Sequence, residues 1–212
     1  GHSIWYFRAF DYVGVDRETG AAQFRNHEGK IVASSELTDE DMTDIGSAIP
    51  KFTYGITLNL EYKGFDFTAF GTGVAGNKIF NILYRADSPL RNSLRYYMDN
   101  AWTPENKGAS MPAPSQVATD LNFWGSSASM FNGSYFKIKQ LQLGYTLPKK
   151  LTQKVAIKNL RFFVSLDDFF TFSNYPGMDP ETATTGNNGG AGFDIGSYPT
   201  MKKCSFGASF SF

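Results

Sequence analysis

Apolar and small polar residues alternate through the last twelve positions of the chain, from Met201 to Phe212. Successive side chains of a strand point to opposite faces, so this pattern predicts a strand with one apolar and one small polar face. A membrane-spanning strand has about 9–11 residues, with aromatic residues near its ends. The segment therefore favours the closing strand of an outer-membrane β-barrel over a strand of a soluble sandwich. The apolar face carries Cys204, Phe206, Ala208, Phe210 and Phe212 after Lys202, and the polar face carries Lys203, Ser205, Gly207, Ser209 and Ser211.

A second alternating segment, from Thr53 to Thr72, predicts a β-hairpin. Lys63-Gly64 supplies a tight two-residue turn between its strands. Tyr62 and Phe65 flank this turn, at the level where a membrane barrel carries an aromatic girdle. Because the short turns of such barrels lie at the periplasmic end, we expect Lys63-Gly64 there. One face of the hairpin carries Tyr54, Ile56, Leu58, Leu60 and Tyr62, followed by Phe65, Phe67 and Ala69 on the returning strand.

Four more segments have strand character. Ile4 to Val15 is aromatic and extended, and Ala22 to Arg25 returns after a polar turn. Tyr135 to Tyr145 changes parity near Lys139-Gln140, which predicts a β-bulge. Leu160 to Asp167 alternates regularly. Together the segments predict an all-β fold of antiparallel strands.

Two long segments, at about 73–133 and 175–199, separate these strands and are predicted as extracellular loops. Loops of this size usually have a function. The first contains a predicted helix start at Ser88-Pro89, with Ser as N-cap and Pro at the first helical position. The lysine-rich turn from Pro148 to Asn159 is shorter, and we expect it at the periplasmic end.

Charge and composition exclude several classes of protein. The 212 residues hold 20 Lys plus Arg and 20 Asp plus Glu, so no basic field exists to bind nucleic acid. No apolar run comes near the roughly 18 residues of a transmembrane helix. Cys204 is the single cysteine, which excludes an internal disulfide and a multi-cysteine metal site. Gly1 to Trp5 lacks the features of a signal peptide, so we expect the chain to begin within a longer polypeptide.

The polar segment from Asn26 to Pro50 is rich in acids and suggests a calcium loop as one possibility. A calcium loop needs oxygen ligands at alternating positions and a turn glycine, and the stretch around His27 lacks that spacing. The pattern favours a solvated loop in which Thr38 caps a helical turn, with Asp41 three residues on. No metal is expected.

The sequence lacks a catalytic constellation. His2 and His27 are the only histidines, and neither belongs to a Gly-x-Ser-x-Gly or His-x-x-x-His motif. Asp167 and Asp168 could suggest glycosidase chemistry, but adjacent strand residues point to opposite faces. Cys204 lies on the apolar parity and is interpreted as a small lipid-facing residue. We expect neither an enzyme nor a cofactor.

Several stretches, in matching order along the chain, resemble the SusC/RagA-like TonB-dependent transporters. Many relatives carry an Asn-Gly-Asp-Gly turn where this chain has His27-Glu28-Gly29, and Asn where it has Asp168. The stretches that carry the resemblance are 54–66 with 73–77, Trp102-Thr103-Pro104-Glu105-Asn106, 133–139 with 143–148, and Asp179-Pro180-Glu181 with Gly196-Ser197-Tyr198-Pro199.

The resemblance implies that residues 1–212 are the C-terminal part of a 22-stranded transmembrane barrel whose plug and N-terminal strands lie upstream. It implies active import of an oligosaccharide, glycan or peptide together with a SusD-like surface lipoprotein. The other implied partners are the TonB complex, through the missing upstream segment, outer-membrane lipid, and the remainder of the same barrel. The implied location is the cell outer membrane of a Gram-negative, Bacteroidetes-like bacterium.

Aromatic residues of the two long segments are candidates for contact with the solute or the lipoprotein, because flat rings suit sugar rings and protein partners. The alternative is that these rings only pack the loops together. Phe212 is expected to be an assembly signal, as the resemblance to outer-membrane barrels suggests. A soluble β-sandwich that binds carbohydrate remains the alternative function. The contact candidates are Tyr84, Tyr96, Tyr97, Trp102, Phe123, Trp124 and Tyr198.

Overall fold

The computed structural model describes residues 1–82, 95–152, 154, 156–184 and 191–212. The predicted helix start at Ser88-Pro89 lies outside them. None of the helices in this part of the chain is long and apolar enough to cross a membrane. The chain divides into two compact units. The loop unit comprises Gly1–Pro50, Gly76–Gly133 and Tyr175–Tyr198, and the sheet unit comprises Lys51–Ala75, Ser134–Asn174 and Pro199–Phe212.

Strands dominate the described residues, and the helices are short. The strands are β1 (Tyr6–Val15), β2 (Ala22–Arg25), β3 (Ile31–Ala33), β4 (Met42–Ser47), β5 (Phe52–Tyr62), β6 (Phe65–Ala75), β7 (Lys78–Asn81), β8 (Met130–Asn132), β9 (Tyr135–Thr146), β10 (Asn159–Ser173), β11 (Phe193–Asp194) and β12 (Lys203–Ser211). The helices are α1 (Arg95–Asn100), α2 (Pro114–Val117), α3 (Leu121–Trp124), α4 (Lys149–Thr152) and α5 (Pro180–Thr184).

The sheet unit is one five-stranded sheet in the order β12-β10-β9-β6-β5, with every neighbouring pair antiparallel. Strands β5 and β6 form the predicted hairpin. Lys63 and Gly64 both have positive φ, 47° and 88°, as the tightest hairpin turns require. The predicted hairpin and the predicted strand at the C-terminal end of the chain are thus confirmed.

One face of this sheet is apolar in three consecutive rows that run across all five strands. Nine of the fifteen residues are exposed and the other six are half-buried, and Phe206 at one edge keeps 82% of its surface. Soluble proteins rarely leave an apolar surface of this extent open, so this outer face requires an apolar surrounding. The rows are Tyr62, Phe65, Tyr145, Phe162 and Ala208; Leu60, Phe67, Leu143, Val164 and Phe206; and Leu58, Ala69, Leu141, Leu166 and Cys204.

A β-bulge lies at Lys139, where the sequence predicts one. Gln140 and Ile138 pair with consecutive residues of β6, which leaves Lys139 as the extra residue. The bulge also involves β10, where Asp168 adopts a left-handed φ of 58° and accepts a hydrogen bond from Lys139 Nζ at 2.8 Å. Asn and Asp tolerate this conformation best among residues other than glycine, so Asp168 suits this position of the bulge. Strand β10 extends to Ser173, six residues beyond the predicted end at Asp167. The bulge interrupts the alternation of apolar and polar residues there, so the sequence pattern did not predict this last part of the strand.

The outer face carries two aromatic rows. The first, at the turn end, contains Tyr62, Phe65, Tyr145 and Phe162, and the second lies beyond the bulge. Tyr54 and Phe136 are stacked with ring centroids 5.9 Å apart, and Phe172 stacks on Phe136 at 6.4 Å. Gly73 lies beneath, where a Cβ atom would collide with the Tyr54 ring. Tyr54 and Tyr62 are eight residues apart on β5, a span of about 27 Å along the strand. That span matches the apolar band of an outer-membrane barrel, about 25 Å tall between two aromatic girdles.

The opposite, inner face is polar. Arg161 on β10 reaches across β9 to Asp66 on β6, with Nε–Oδ2 and Nη2–Oδ1 distances of 2.8 and 2.5 Å. The intervening residue is Gly144, where a Cβ atom would collide with both side chains. A glycine is therefore needed for the ion pair to pass over β9. A neighbouring row is Asn59, Thr68, Gln142, Ser165 and Ser205.

The connections differ at the two ends of the sheet. The turn end carries Lys63-Gly64, the connection 147–158 and the C-terminal residue Phe212. At the other end, the loop end, the chain leaves β6 and β10 for the two long segments. This arrangement follows from the antiparallel order, because each strand reverses the direction of the one before it.

The loop unit contains strands that sequence patterns do not reveal. Its sheets have the orders β3-β2-β1-β4 and β11-β7-β8, the latter with a parallel β11–β7 pair. The segment 26–50, which we expected to be a loop, therefore contains β3 and β4. The segment 73–133, which we also expected to be a loop, contains β7 and β8. These strands have two to six residues, too few for periodicity to show.

We predict that Gly144→Ala destabilises the folded protein by disturbing the Asp66–Arg161 pair, at a cost of roughly 1–3 kcal/mol. Gly55→Ala is the matched control on the same face, because its Cβ atom would have no neighbour nearer than 3.7 Å. Both variants lower the entropy of the unfolded chain alike. The measurement is the temperature at which the full-length protein loses its folded mobility on gels. Equal temperatures for the two variants would contradict the prediction.

Candidate functional site

Three of the predicted contact residues form the centre of the loop unit. Tyr97, Phe123 and Trp124 are exposed by only 2%, 1% and 5%, and they pack with Phe10 and Phe24 from the first two strands. They are therefore out of reach of a solute in this structure. Their role here is the alternative that the sequence leaves open, which is to pack the long segment.

Local hydrogen bonds explain why these rings turn inward. Asp120 caps α3 by accepting from the backbone N–H groups of Asn122 and Phe123 at 3.0 and 3.2 Å. The indole Nε1 of Trp124 donates to the carbonyl of Val117 at 2.7 Å, so its one polar atom is satisfied. Burial raises the pKa of the Tyr97 hydroxyl above its ordinary range.

Trp102 connects the long segment to the first turn of the chain. Its Nε1 donates to the carbonyl of Arg17 at 3.0 Å. The ring covers Gly20, whose φ is +73° and where a Cβ atom would lie 2.6 Å from the indole. Lys107 Nζ lies 2.7 Å from the Glu18 carboxylate beside it. The Trp102–Asn106 motif of the resemblance therefore fastens the loop unit.

Tyr96 and Tyr198 are the accessible rings among the predicted contact residues. Tyr96 is 37% exposed and meets Phe131 edge-on at 5.6 Å, whereas Tyr198 is 78% exposed. Trp102 is half-buried. Tyr84 lies outside the described residues. The six candidates that the structure describes are not gathered into one pocket.

Phe212 follows β12 at the turn end and lies on the parity of the outer face. Its ring is 72% exposed and contacts Phe210 edge-on at 5.6 Å. Both aromatic residues thus extend the outer apolar surface to the last residue of the sheet unit.

A buried polar network holds the second long segment, and sequence patterns gave no sign of it. The Tyr175 hydroxyl donates to the Asp194 carboxylate and accepts from Asn81 Nδ2 at 3.0 Å. The other Asp194 oxygen accepts from the backbone of Gly196 at 2.9 Å. Asp179 caps α5 through the backbone of Glu181 at 3.0 Å. The 179–181 and 196–199 motifs therefore also have structural roles.

His27 and Asp41 form a clasp between the β2–β3 turn and the segment before β4. Asp41 Oδ1 accepts from the His27 backbone at 2.9 Å and lies 2.6 Å from its Nδ1. Its Oδ2 accepts from the backbone and the hydroxyl of Thr38 at 2.8 and 3.0 Å, which confirms the predicted cap. These donors lower the pKa of Asp41, and the Asp41 side chain raises that of His27. Both oxygens of the central acid are thus bound to protein donors rather than left for a cation.

The other residues that were considered for catalysis are two aspartates, which form hydrogen bonds or ion pairs within the sheet, and one cysteine, which lies on its outer face. Asp167 accepts from Ser165 Oγ at 2.7 Å, Asp168 pairs with Lys139, and Cys204 is exposed in an outer row. Across the described ranges, no group of three or more His, Cys, Asp or Glu side chains could hold a metal ion.

Comparison with known proteins gives matches along the whole chain. TonB-dependent receptor P3 of Formosa agariphila is 30% identical over 233 aligned residues, which cover 100% of this chain and 22% of the relative. Over its whole length the chain is therefore similar to TonB-dependent receptors. TonB-dependent receptor P26 of the same organism is 27% identical over 91% of the chain and 20% of its own length. The chain thus spans about a fifth of the length of these curated relatives, and no family model matches it.

Solved structures agree on the fold of this TonB-dependent receptor segment. A structure of the RagAB peptide transporter superposes with a TM-score of 0.78 and 24% identity, covering 98% of this chain and 23% of that one. The RagAB peptide importer in its open-open state superposes with a TM-score of 0.76, covering 97% of this chain and 22% of that one. The described strands match the receptor barrel, and TonB-dependent receptors are outer-membrane proteins, which places this chain in the outer membrane. The relatives are receptors and importers rather than enzymes.

We predict that the His27–Asp41 clasp is strongest in mildly acidic conditions. The pKa of His27 is raised above its ordinary 6.5, so its contribution is complete below that pH and is lost as the pH rises through the folded-state value. The pKa of Asp41 is lowered below 3.8, so its contribution is complete above that pH and is lost on further acidification.

Hydrogen exchange of residues 27–41 in the full receptor, corrected for intrinsic rates, should therefore be faster at about pH 8.5 than at about pH 5.5. His27→Gln should remove most of this difference. His2→Gln is the control, because His2 lies beside Asp44 and outside the clasp. An unchanged pH dependence in His27→Gln would refute the role of the clasp.

Proposed function

We propose that this chain forms part of the wall and outer mouth of an active importer of the outer membrane. The cargo is an oligosaccharide, glycan or peptide, a SusD-like lipoprotein covers the mouth, and TonB acts through the upstream part of the polypeptide. The remainder of the 22-stranded barrel closes the sheet. One observation carries the proposal, which is a five-stranded sheet with an apolar outer face, a polar inner face and two aromatic rows about 27 Å apart.

The two faces suit lipid on one side and an aqueous lumen on the other. Burying the outer rows in lipid removes them from water, at about 25 cal/mol for each Å² of apolar surface. Asp66 and Arg161 form an ion pair on the inner face, and Asp168 and Lys139 form another at the bulge. A soluble carbohydrate-binding sandwich would leave the outer rows exposed unless a second sheet covered them.

The accessible aromatic residues at the loop end are proposed to contact the solute or the lipoprotein. Tyr96 and Tyr198 have exposed rings, and Trp102 is fixed by its bond to Arg17. Tyr97, Phe123 and Trp124 support this surface from within the loop unit. Tyr84 is proposed as a further contact residue from the sequence pattern alone. The role is binding and passage of a solute, without catalysis.

Phe212 is proposed to act both as an anchor and as an assembly signal. Its exposed ring on the outer parity supports the first role, since burial of a phenylalanine stabilises by roughly 1.5–3 kcal/mol. Its position directly after β12, on the parity of the outer face, supports the second.

We predict that the loop end faces the cell exterior. In a Cys204→Ala background, Gly108→Cys and Tyr198→Cys test the two long segments, because Gly108 has open space around it and Tyr198 is exposed. Both should react with an impermeant thiol reagent on intact cells. Lys150→Cys at the turn end should react only after the periplasm is opened. Labelling in the reverse order would invert the proposed topology.

We predict that Tyr96→Ala with Tyr198→Ala reduces growth on the cognate nutrient, or co-purification of the lipoprotein, by at least severalfold. Loss of two aromatic contacts of about 1–2 kcal/mol each gives this magnitude. Tyr62→Ala is the control, since Tyr62 is 69% exposed but lies at the turn end. If the double variant behaves like the control in both assays, these rings do not belong to the mouth.

A further inference from the structure

The connections at the turn end of the sheet carry a net positive charge, and Glu61, the nearest acid on β5, lies on the inner face beside Asp66. The two connections at this end, 63–64 and 147–158, contain five lysines and no acid. The nearest acid on β6 is Asp66, which lies on the inner face and is paired with Arg161. The lysines are Lys63, Lys149, Lys150, Lys154 and Lys158, and all are exposed.

Two of these lysines line a groove of about 350 Å³. Its other walls are Ala156 and Ile157, so the groove combines an apolar floor with an ammonium group from each of Lys149 and Lys158. Its volume lies within the range of sites for small ligands, roughly 300–1,000 Å³. Neither lysine has a carboxylate partner among the described residues.

The groove adjoins the outer apolar face rather than the inner one. The Lys158 backbone donates to the carbonyl of Ser211 at 2.8 Å, which holds Lys158 beside the end of β12 just before β10 begins at Asn159. Its parity is that of Leu160 and Phe162, which lie on the outer face. A lysine at this position can lay its stem along apolar surface and place its ammonium at the level of lipid headgroups.

We infer that this groove binds the headgroup phosphate of an anionic phospholipid. The two ammonium groups neutralise the phosphate, while Ala156 and Ile157 contact the glycerol and the first acyl carbons. Continuity with the lipid-facing rows selects a membrane lipid over a soluble anion, since the groove opens where headgroups lie. The inference rests on the proposed orientation, in which the turn end meets the periplasmic leaflet.

The test compares the full-length receptor with Lys149→Gln/Lys158→Gln and with Lys150→Gln, a neighbouring lysine that does not line the groove. Each protein is purified in mild detergent and titrated with phosphatidylglycerol or phosphatidylcholine, and bound lipid is counted by native mass spectrometry. The double variant should bind phosphatidylglycerol about 25-fold more weakly, or about fivefold for each lysine, and Lys150→Gln should be unchanged. Lys149→Arg/Lys158→Arg should retain binding. If the Gln double variant does not fold, single Lys158→Gln takes its place and should bind phosphatidylglycerol about fivefold more weakly.

Equal binding of phosphatidylglycerol by the double variant and the parent overturns the inference. So does equal binding of the two lipids, displacement of the lipid by millimolar inorganic phosphate, or a preference for lipopolysaccharide. The readout uses purified protein without nutrient or lipoprotein. Failure of import or of the proposed topology therefore appears in the growth and labelling experiments and is distinguishable from failure here.

Discussion

The register of five antiparallel strands is the constraint on which the rest of the structure depends. Because the strands pair without slippage on the turn side of the bulge, side chains of one kind meet across every strand and form continuous apolar rows. A slip of one residue in β9 would mix apolar rows with the glutamine and glycine positions of the inner face. The bulge at Lys139 preserves the arrangement by restoring the outer parity for Ile138 and Phe136. Glycines at 73 and 144 supply space where rings or an ion pair cross a strand.

The long segments are ordered by their own contacts in the part that the structure describes. Tyr97, Phe123 and Trp124 form a core with residues from β1 and β2, and Trp102 is fixed to the first turn. Two of the stretches that carry the family resemblance, 102–106 and 179–181 with 196–199, lie at such fastening points. In the proposed outer mouth, exposed rings such as Tyr198 would be presented from a packed support. Ligand contacts made by positioned rings lose less conformational entropy than contacts made by a mobile loop.

Much of the sheet was predictable because period two is a strong signal over nine or more residues. The hairpin around Lys63-Gly64, the bulge near Lys139 and the closing strand were all predicted from alternation and its one interruption. Strands such as β3 and β7 were missed because three or four residues show no period. The burial of Phe123 and Trp124 could not be predicted, since it depends on contacts with Phe10 and Phe24, about a hundred residues earlier. The Tyr175–Asp194 bond is likewise formed by residues that no local pattern connects.

The central claim is that the outer rows of the sheet face lipid. A nitroxide scan from Tyr54 to Tyr62 in the reconstituted full-length receptor tests it most directly, because molecular oxygen concentrates in lipid and a polar nickel chelate in water. The account predicts high oxygen accessibility at Tyr54, Ile56, Leu58 and Leu60, and low oxygen accessibility at Gly55, Thr57 and Asn59, with a period of two. Accessibility without that period, or with the opposite phase, would contradict it.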